Sequence, residues 1–143
     1  FLNYDLKILD DRLGAKRAAT AYDWKSFLDK GLHTTGSSDC PVESLDIMEN
    51  IYAAMTRKDL NGNPAGGWKP EQDLTLEESL RLFTINSAYA CFCEDSKGSI
   101  KTGKSADFVI INEDIRNTSA DEIKNIKIEK TYLAGKKLFD RTV

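Results

Sequence analysis

An α/β fold is what the sequence predicts, and three observations predict it. Apolar residues recur at helical spacing through most of the chain up to about residue 95. A single short β-favouring run, residues 32–37 (LHTTGS), interrupts that pattern. From residue 96 onward, runs of β-branched and aromatic residues broken by glycine turns take over. The expected organisation is therefore a helix–strand–helix segment over 1–95 and a strand segment over 96–143.

Residues 1–16 mix apolar and charged positions without a clean period, which predicts loop with at most a turn of helix. Residues 17–30 (RAATAYDWKSFLDK) return to helical spacing and stop at Gly31. The Asp23-Trp24 pair divides them into two short helices, with Asp23 capping the second. After the strand at 32–37, Ser44 is the predicted cap of a helix whose apolar face is Ile47, Met48, Ile51, Tyr52 and Met55. Residues 60–73 (LNGNPAGGWKPEQD) read as a long loop, with Trp68 as a core anchor inside it. Thr75 and Glu78 form a capping box, and the stripe Leu76, Leu80, Phe83, Ala88, Phe92 predicts one continuous helix behind it. Phe108–Ile111 is a strand. Two further β runs flank Gly135, where Gly135-Lys136 supplies a two-residue hairpin loop. Three strands do not bury both of their faces, so partner strands are expected elsewhere, in another part of a longer protein or in another chain.

Composition narrows the function classes. The 143 residues are 41% hydrophobic and 30% charged, with a net charge of −3 and no basic stripe. That argues against nucleic acid and acidic membrane surfaces as partners. No apolar run approaches the ~20 residues of a membrane-spanning helix. The three cysteines, Cys40, Cys91 and Cys93, do not form a secreted disulfide framework, so reduced thiols in a cytoplasmic protein are expected. Cys91 and Cys93, two apart in a predicted helix, point in different directions and make poor joint ligands. The chain starts at Phe1 without Met, which reads as a piece of something longer.

One stretch raises a chemical question. In LHTTGSSDCPVE, a lone carboxylate, Asp39, ends a short strand inside a collar of Gly36, Ser37 and Ser38. One reading places Asp39 in a catalytic metal site, with the small neighbours leaving room for metal and substrate. The other makes it a turn residue capping the segment at Pro41-Val42-Glu43.

The run GSIKTGKSADFVIIN resembles the re-entry into the small β-sandwich of the amidohydrolase superfamily. LHTTGSSDCPVESLDIMENIYAAMTRKD resembles the last barrel strand and following helix of its family 3 branch, which includes N-substituted formamide deformylases. LTLEESLRLFTINSAYACF is similar to the helix joining barrel to sandwich, and LGAKRAATAYDWKSFLDKG to the element before the final strand. The resemblance implies the C-terminal part of a metal-dependent (β/α)8 barrel hydrolase plus part of a composite β-sandwich. It implies that Asp39 is both metal ligand and catalytic proton carrier, with a divalent metal, Zn2+, as cofactor. It also implies a small-molecule substrate cleaved at an amide- or amidine-type C–N bond. The paired histidines, the mid-barrel Lys or Glu and the two later histidines of that superfamily are absent from this sequence.

Ligand arithmetic bears on the isolated chain. A catalytic zinc takes about three protein ligands within ~2 Å. The single histidine, His33, lies six residues before Asp39, about 20 Å along a straight strand. His33 is therefore expected to be structural or exposed, and Cys40, though adjacent, has no ligand role in the resemblance. The chain alone is expected to hold no catalytic metal and to be inactive. A second function class follows from the incomplete sheet: a non-catalytic folding or oligomerisation module that self-associates through exposed sheet edges.

Two other residues, Arg57 and Asn86, have two readings each. Arg57 is a substrate-side contact or a cation at a helix C-terminus. Asn86 is a buried amide bonding a neighbouring loop or a substrate contact. Asp107 is expected to satisfy backbone N–H groups at the Gly103-Lys104 bend. The Gly-Lys pairs lack Walker spacing and do not form a phosphate loop.

Overall fold

The computed structural model describes residues 1–6 and 8–142. Lys7, within the expected N-terminal loop, and Val143, at the end of the expected strand segment, lie outside the described residues. Elements run helical first and β last, as the change of period predicts.

The opening residues hold more helix than expected: α1 (Leu2–Asp5) and α2 (Leu9–Leu13). Leu2 and Leu9 are buried, and each burial is worth about 1.5–3 kcal/mol, enough to organise a short turn that propensity alone does not. Next come α3 (Ala15–Ala18) and α4 (Trp24–Asp29), divided before Trp24 as predicted. Asp23 stands at the N-cap of α4, but its carboxylate does not cap. It pairs with the Lys69 ammonium instead, a charge-assisted contact stronger than a bond to a neutral N–H.

Among the described residues, 32–38 pair with no strand. A strand exists only through its neighbours, and here the backbone bonds go to helix ends. The Gly36 N–H donates to the Leu82 carbonyl at 3.2 Å.

The longest helix is α5 (Ile47–Thr56). Its cap is Asp46, whose carboxylate accepts the Met48 N–H at 3.0 Å; Ser44, the predicted cap, accepts the Asp46 N–H from one turn earlier. Met48, Ile51 and Tyr52 pack against Ile123 and Ile126, with Ile111, Ile115 and Ile128 at the margin. The core thus joins the helical and β-rich halves through α5 and a 3-10 turn at Ala120–Asn125.

The Thr75–Glu78 capping box is present, with both reciprocal bonds made. The single helix predicted behind it is two, α6 (Leu76–Leu82) and α7 (Ile85–Ala90). Hydroxyl bonds mark the break. Thr84 Oγ1 donates to the Leu80 carbonyl and Ser87 Oγ to the Leu82 carbonyl, both at 2.7 Å, occupying acceptors the continuing helix would need. Cys91 and Cys93 lie past the end of α7, as free thiols.

The sheet is antiparallel, in the order β1 (Phe108–Ile111), β2 (Ile128–Leu133), β3 (Lys136–Asp140). Phe108 faces Tyr132, their rings stacked at 4.6 Å. The hairpin loop is Ala134-Gly135, one residue earlier than predicted. Both have positive φ, 49° and 77°, as a type I′ turn requires. No helix among the described residues is long and apolar enough to cross a membrane.

Candidate functional site

The segment 32–43 is positioned by α6 and α7. Asn86, buried near the start of α7, donates through Nδ2 to the Thr34 carbonyl at 2.9 Å. This is the loop-holding role that the interrupted apolar stripe predicted. Two residues on, Gly36 lies so close to the Phe83 ring that an added Cβ would meet it at 2.3 Å. The missing side chain at Gly36 therefore makes room for the Phe83 ring. His33 is exposed and stacked on Tyr89, centroids 4.0 Å apart.

Beyond Gly36 the chain turns back on itself. The Asp39 N–H donates to Ser37 Oγ at 3.1 Å, and Asp39 adopts the left-handed conformation at φ 47°. Its carbonyl accepts the Val42 N–H at 3.0 Å, and the Ser38 carbonyl accepts the Glu43 N–H at 3.1 Å. The local turn is closed by carbonyls. The Asp39 carboxylate takes no hydrogen bond from the described residues and is exposed. It borders an open pocket of about 500 Å³ with Phe1, Tyr4, Asp5, Val42 and Glu43. A second cavity, about 310 Å³ and mainly apolar, is lined by Thr34–Ser37, Trp24 and Phe83.

Among the described residues, no three His, Cys, Asp or Glu side chains converge to hold a metal ion. Asp39 offers one hard oxygen donor, and Cys40, also exposed, adds no further convergent group. That donor set is short of the about three ligands a catalytic zinc needs, so these residues alone do not fit a complete metal site.

Arg57 sits at the C-cap of α5 in left-handed conformation, φ 51°, and is wholly buried. The reading as a cation at a helix C-terminus gives its position but not its burial. Its Nε donates to the Trp68 carbonyl at 2.6 Å and its Nη1 to the Tyr22 carbonyl at 3.0 Å. The guanidinium lies between the rings of Trp24 and Trp68, at 5.1 and 5.0 Å. Burial pushes its pKa down, while Asp73, Asp23 and Glu71 push it back up. Trp68 is thus an anchor, through its carbonyl and its ring. Burial, with the Asp5 carboxylate that accepts its hydroxyl, pushes the Tyr22 phenol well above its usual range.

Asp107 accepts the Ala134 N–H and the Ser105 hydroxyl, both at 2.7 Å. It secures the hairpin turn rather than the Gly103 bend expected of it. Those bonds, the Ala134 one foremost, hold its carboxyl below the usual range. The site residue that sequence reasoning missed is Glu43. Its spacing from Asp39 carries no periodic signal, and only the folded turn buries it beside that pocket.

The sequence profile of the amidohydrolase family matches residues 1–139. YtcJ of Bacillus subtilis (strain 168) is 30% identical over 99% of this chain and 27% of its own length. The N-substituted formamide deformylase of Arthrobacter pascens is 30% identical over 82% of this chain and 21% of its own. An amidohydrolase from Thermotoga maritima MSB8 shares the fold with a TM-score of 0.59, at 24% identity, over 81% of this chain and 25% of its own. The chain therefore spans about a quarter of the length of the relatives it matches. By a match that covers nearly every residue, the chain belongs to the amidohydrolase family, in its family 3 branch.

Proposed function

We propose that this chain is the C-terminal part of a metal-dependent hydrolase of amide- or amidine-type C–N bonds in small molecules. In that reading residues 32–38 form the last strand of a (β/α)8 barrel, and β1–β3 contribute to a composite β-sandwich. The observation that carries it is Asp39. Its carboxylate lies past the end of 32–38, exposed and unpaired by the described residues, in a chain of the amidohydrolase family. Barrel enzymes place their chemistry at such strand ends.

Asp39 has two tasks here. As a hard donor it supplies one ligand to a divalent metal, Zn2+, whose other ligands come from outside these residues. When bound, that ion lowers the pKa of water to about 7. As a base, the Asp39 carboxylate accepts a proton from the attacking water and returns it to the departing nitrogen, so that the amine leaves neutral. The helix-end bonds at Thr34 and Gly36 fix the strand that aims it. The test is amine release from N-substituted formamides by the longer protein this reading requires. Asp39→Asn lowers turnover about 10²–10⁴-fold. Unchanged turnover in that variant overturns the reading.

A second reading rests on the sheet. β1 and β3 are open edges, and Val109, Ile110, Leu138 and Phe139 are exposed apolar side chains on them. As a non-catalytic module the chain pairs such edges with a second copy. Light scattering of the 143-residue chain then reports a dimer or larger assembly; a monomer at high concentration removes this reading.

A further inference from the structure

The Asp39 carboxylate takes no hydrogen bond from the described residues, yet the main chain around it is tied down on both sides. Its φ of 47° lies in the left-handed region, which a non-glycine residue keeps only where its surroundings impose it. On the carboxyl side, the Asp39 carbonyl accepts the Val42 N–H at 3.0 Å. On the amino side, a single peptide plane joins Ser38 to Asp39. Its carbonyl accepts the Glu43 N–H, and its N–H donates to Ser37 Oγ, both at 3.1 Å.

The two peptide planes that flank a Cα fix the direction of its Cα–Cβ bond. Holding both planes therefore aims the carboxylate while leaving its oxygens free. Ser37 supplies the side-chain bond of the three. Its base is firm, because the preceding residue, Gly36, is tied by its N–H to the Leu82 carbonyl and lies against the Phe83 ring. The restraint thus runs from the end of α6 through Gly36 and the Ser37 hydroxyl to Asp39. Ser37 is exposed, so water takes over as acceptor when the hydroxyl is removed. Water satisfies the N–H but fixes no direction, and the loss falls on geometry rather than on folding.

We propose that Ser37 is a positioning residue for the hydrolytic step, its Oγ holding the Asp39 backbone in the conformation that aims the carboxylate. This rests on the reading of Asp39 as the proton carrier and says what sets its aim.

The experiment is a double-mutant cycle on the longer protein, read by methylamine release from N-methylformamide. Ser37→Ala lowers kcat about tenfold and leaves KM unchanged, because the misplaced carboxylate matters to proton transfer and not to binding. Ser37→Thr, which keeps the oxygen, restores kcat. In the Asp39→Asn background Ser37→Ala makes no further difference, since the hydroxyl acts through that carboxylate. A second measurement needs no substrate: exchange of the Asp39 amide in the 143-residue chain, followed by NMR. Its intrinsic rate is set by Ser38 and Asp39, which both Ser37 variants keep. Exchange quickens about fivefold in Ser37→Ala and not in Ser37→Thr. An Asp39 amide that exchanges equally fast in wild type and Ser37→Ala overturns the proposal by itself. So does an equal loss of kcat from Ser37→Ala with and without Asp39→Asn. If Asp39→Asn is inactive and Ser37→Ala keeps full kcat, the Ser37 assignment alone falls. If Asp39→Asn keeps full turnover, the catalytic reading of Asp39 falls and takes this proposal with it.

Discussion

Replacing Arg57 by alanine tests the packing of the helical half at its most buried charge. The guanidinium closes two carbonyls, Trp68 at 2.6 Å and Tyr22 at 3.0 Å, and lies between two indole rings. Each orphaned buried carbonyl costs about 1–3 kcal/mol, and the lost ring contacts about 0.5–2 kcal/mol more. One credit opposes them. Nη2 is buried without a partner, so deleting it recovers part of a similar penalty. The net expectation is a loss of about 3 kcal/mol, or a fall in Tm of roughly 10 °C for a chain of this size. Arg57→Lys keeps the charge but has no planar fork to reach both carbonyls, and loses about half as much. The assay is urea unfolding followed by tryptophan emission, which reports this site directly because Trp24 and Trp68 flank Arg57. A loss below about 1 kcal/mol for Arg57→Ala would refute the bookkeeping, since the carbonyls would then have found other donors.

Two further outcomes are expected. Asn86→Ala leaves the Thr34 carbonyl without its 2.9 Å donor, costs about 1–3 kcal/mol, and speeds amide exchange at residues 32–38 before the rest of the chain. Acid loosens the β hairpin: Lys137 and the Thr142 hydroxyl and N–H hold the Asp140 carboxyl well below its usual range. A depressed folded pKa means stability that is fully present above the unfolded value of about 3.9 and lost as pH falls toward the folded one. The protection factors of β2–β3 amides, exchange rates taken relative to the unstructured rate at each pH, therefore fall between pH 5 and pH 2, and Asp140→Asn removes most of that pH dependence.

The sequence carried the local rules well. The Thr75–Glu78 box, the break before Trp24, the strand at Phe108–Ile111 and the loop-holding amide of Asn86 are all short-range or single-residue signals, and the structure shows each of them. What the sequence did not show depends on distant partners. Asp23 was drawn off its cap by Lys69, Asp107 by the Ala134 N–H, and Arg57 was turned inward by two tryptophans from separate segments. The strand at 32–37 needs neighbours that these residues do not supply. At the candidate site, Asp39 was legible because a carboxylate among small residues is conspicuous. Glu43 was not, because its burial is made by the turn and by Phe1, and no spacing rule encodes that.

The most direct measurement is metal content by mass spectrometry, on purified protein dialysed against trace zinc. A single carboxylate does not retain an ion without help, so the 143-residue chain should carry well under one equivalent. The longer protein should carry stoichiometric zinc, and its Asp39→Asn form markedly less. A longer protein whose zinc is indifferent to that substitution, or a short chain that holds a full equivalent by itself, would contradict the account.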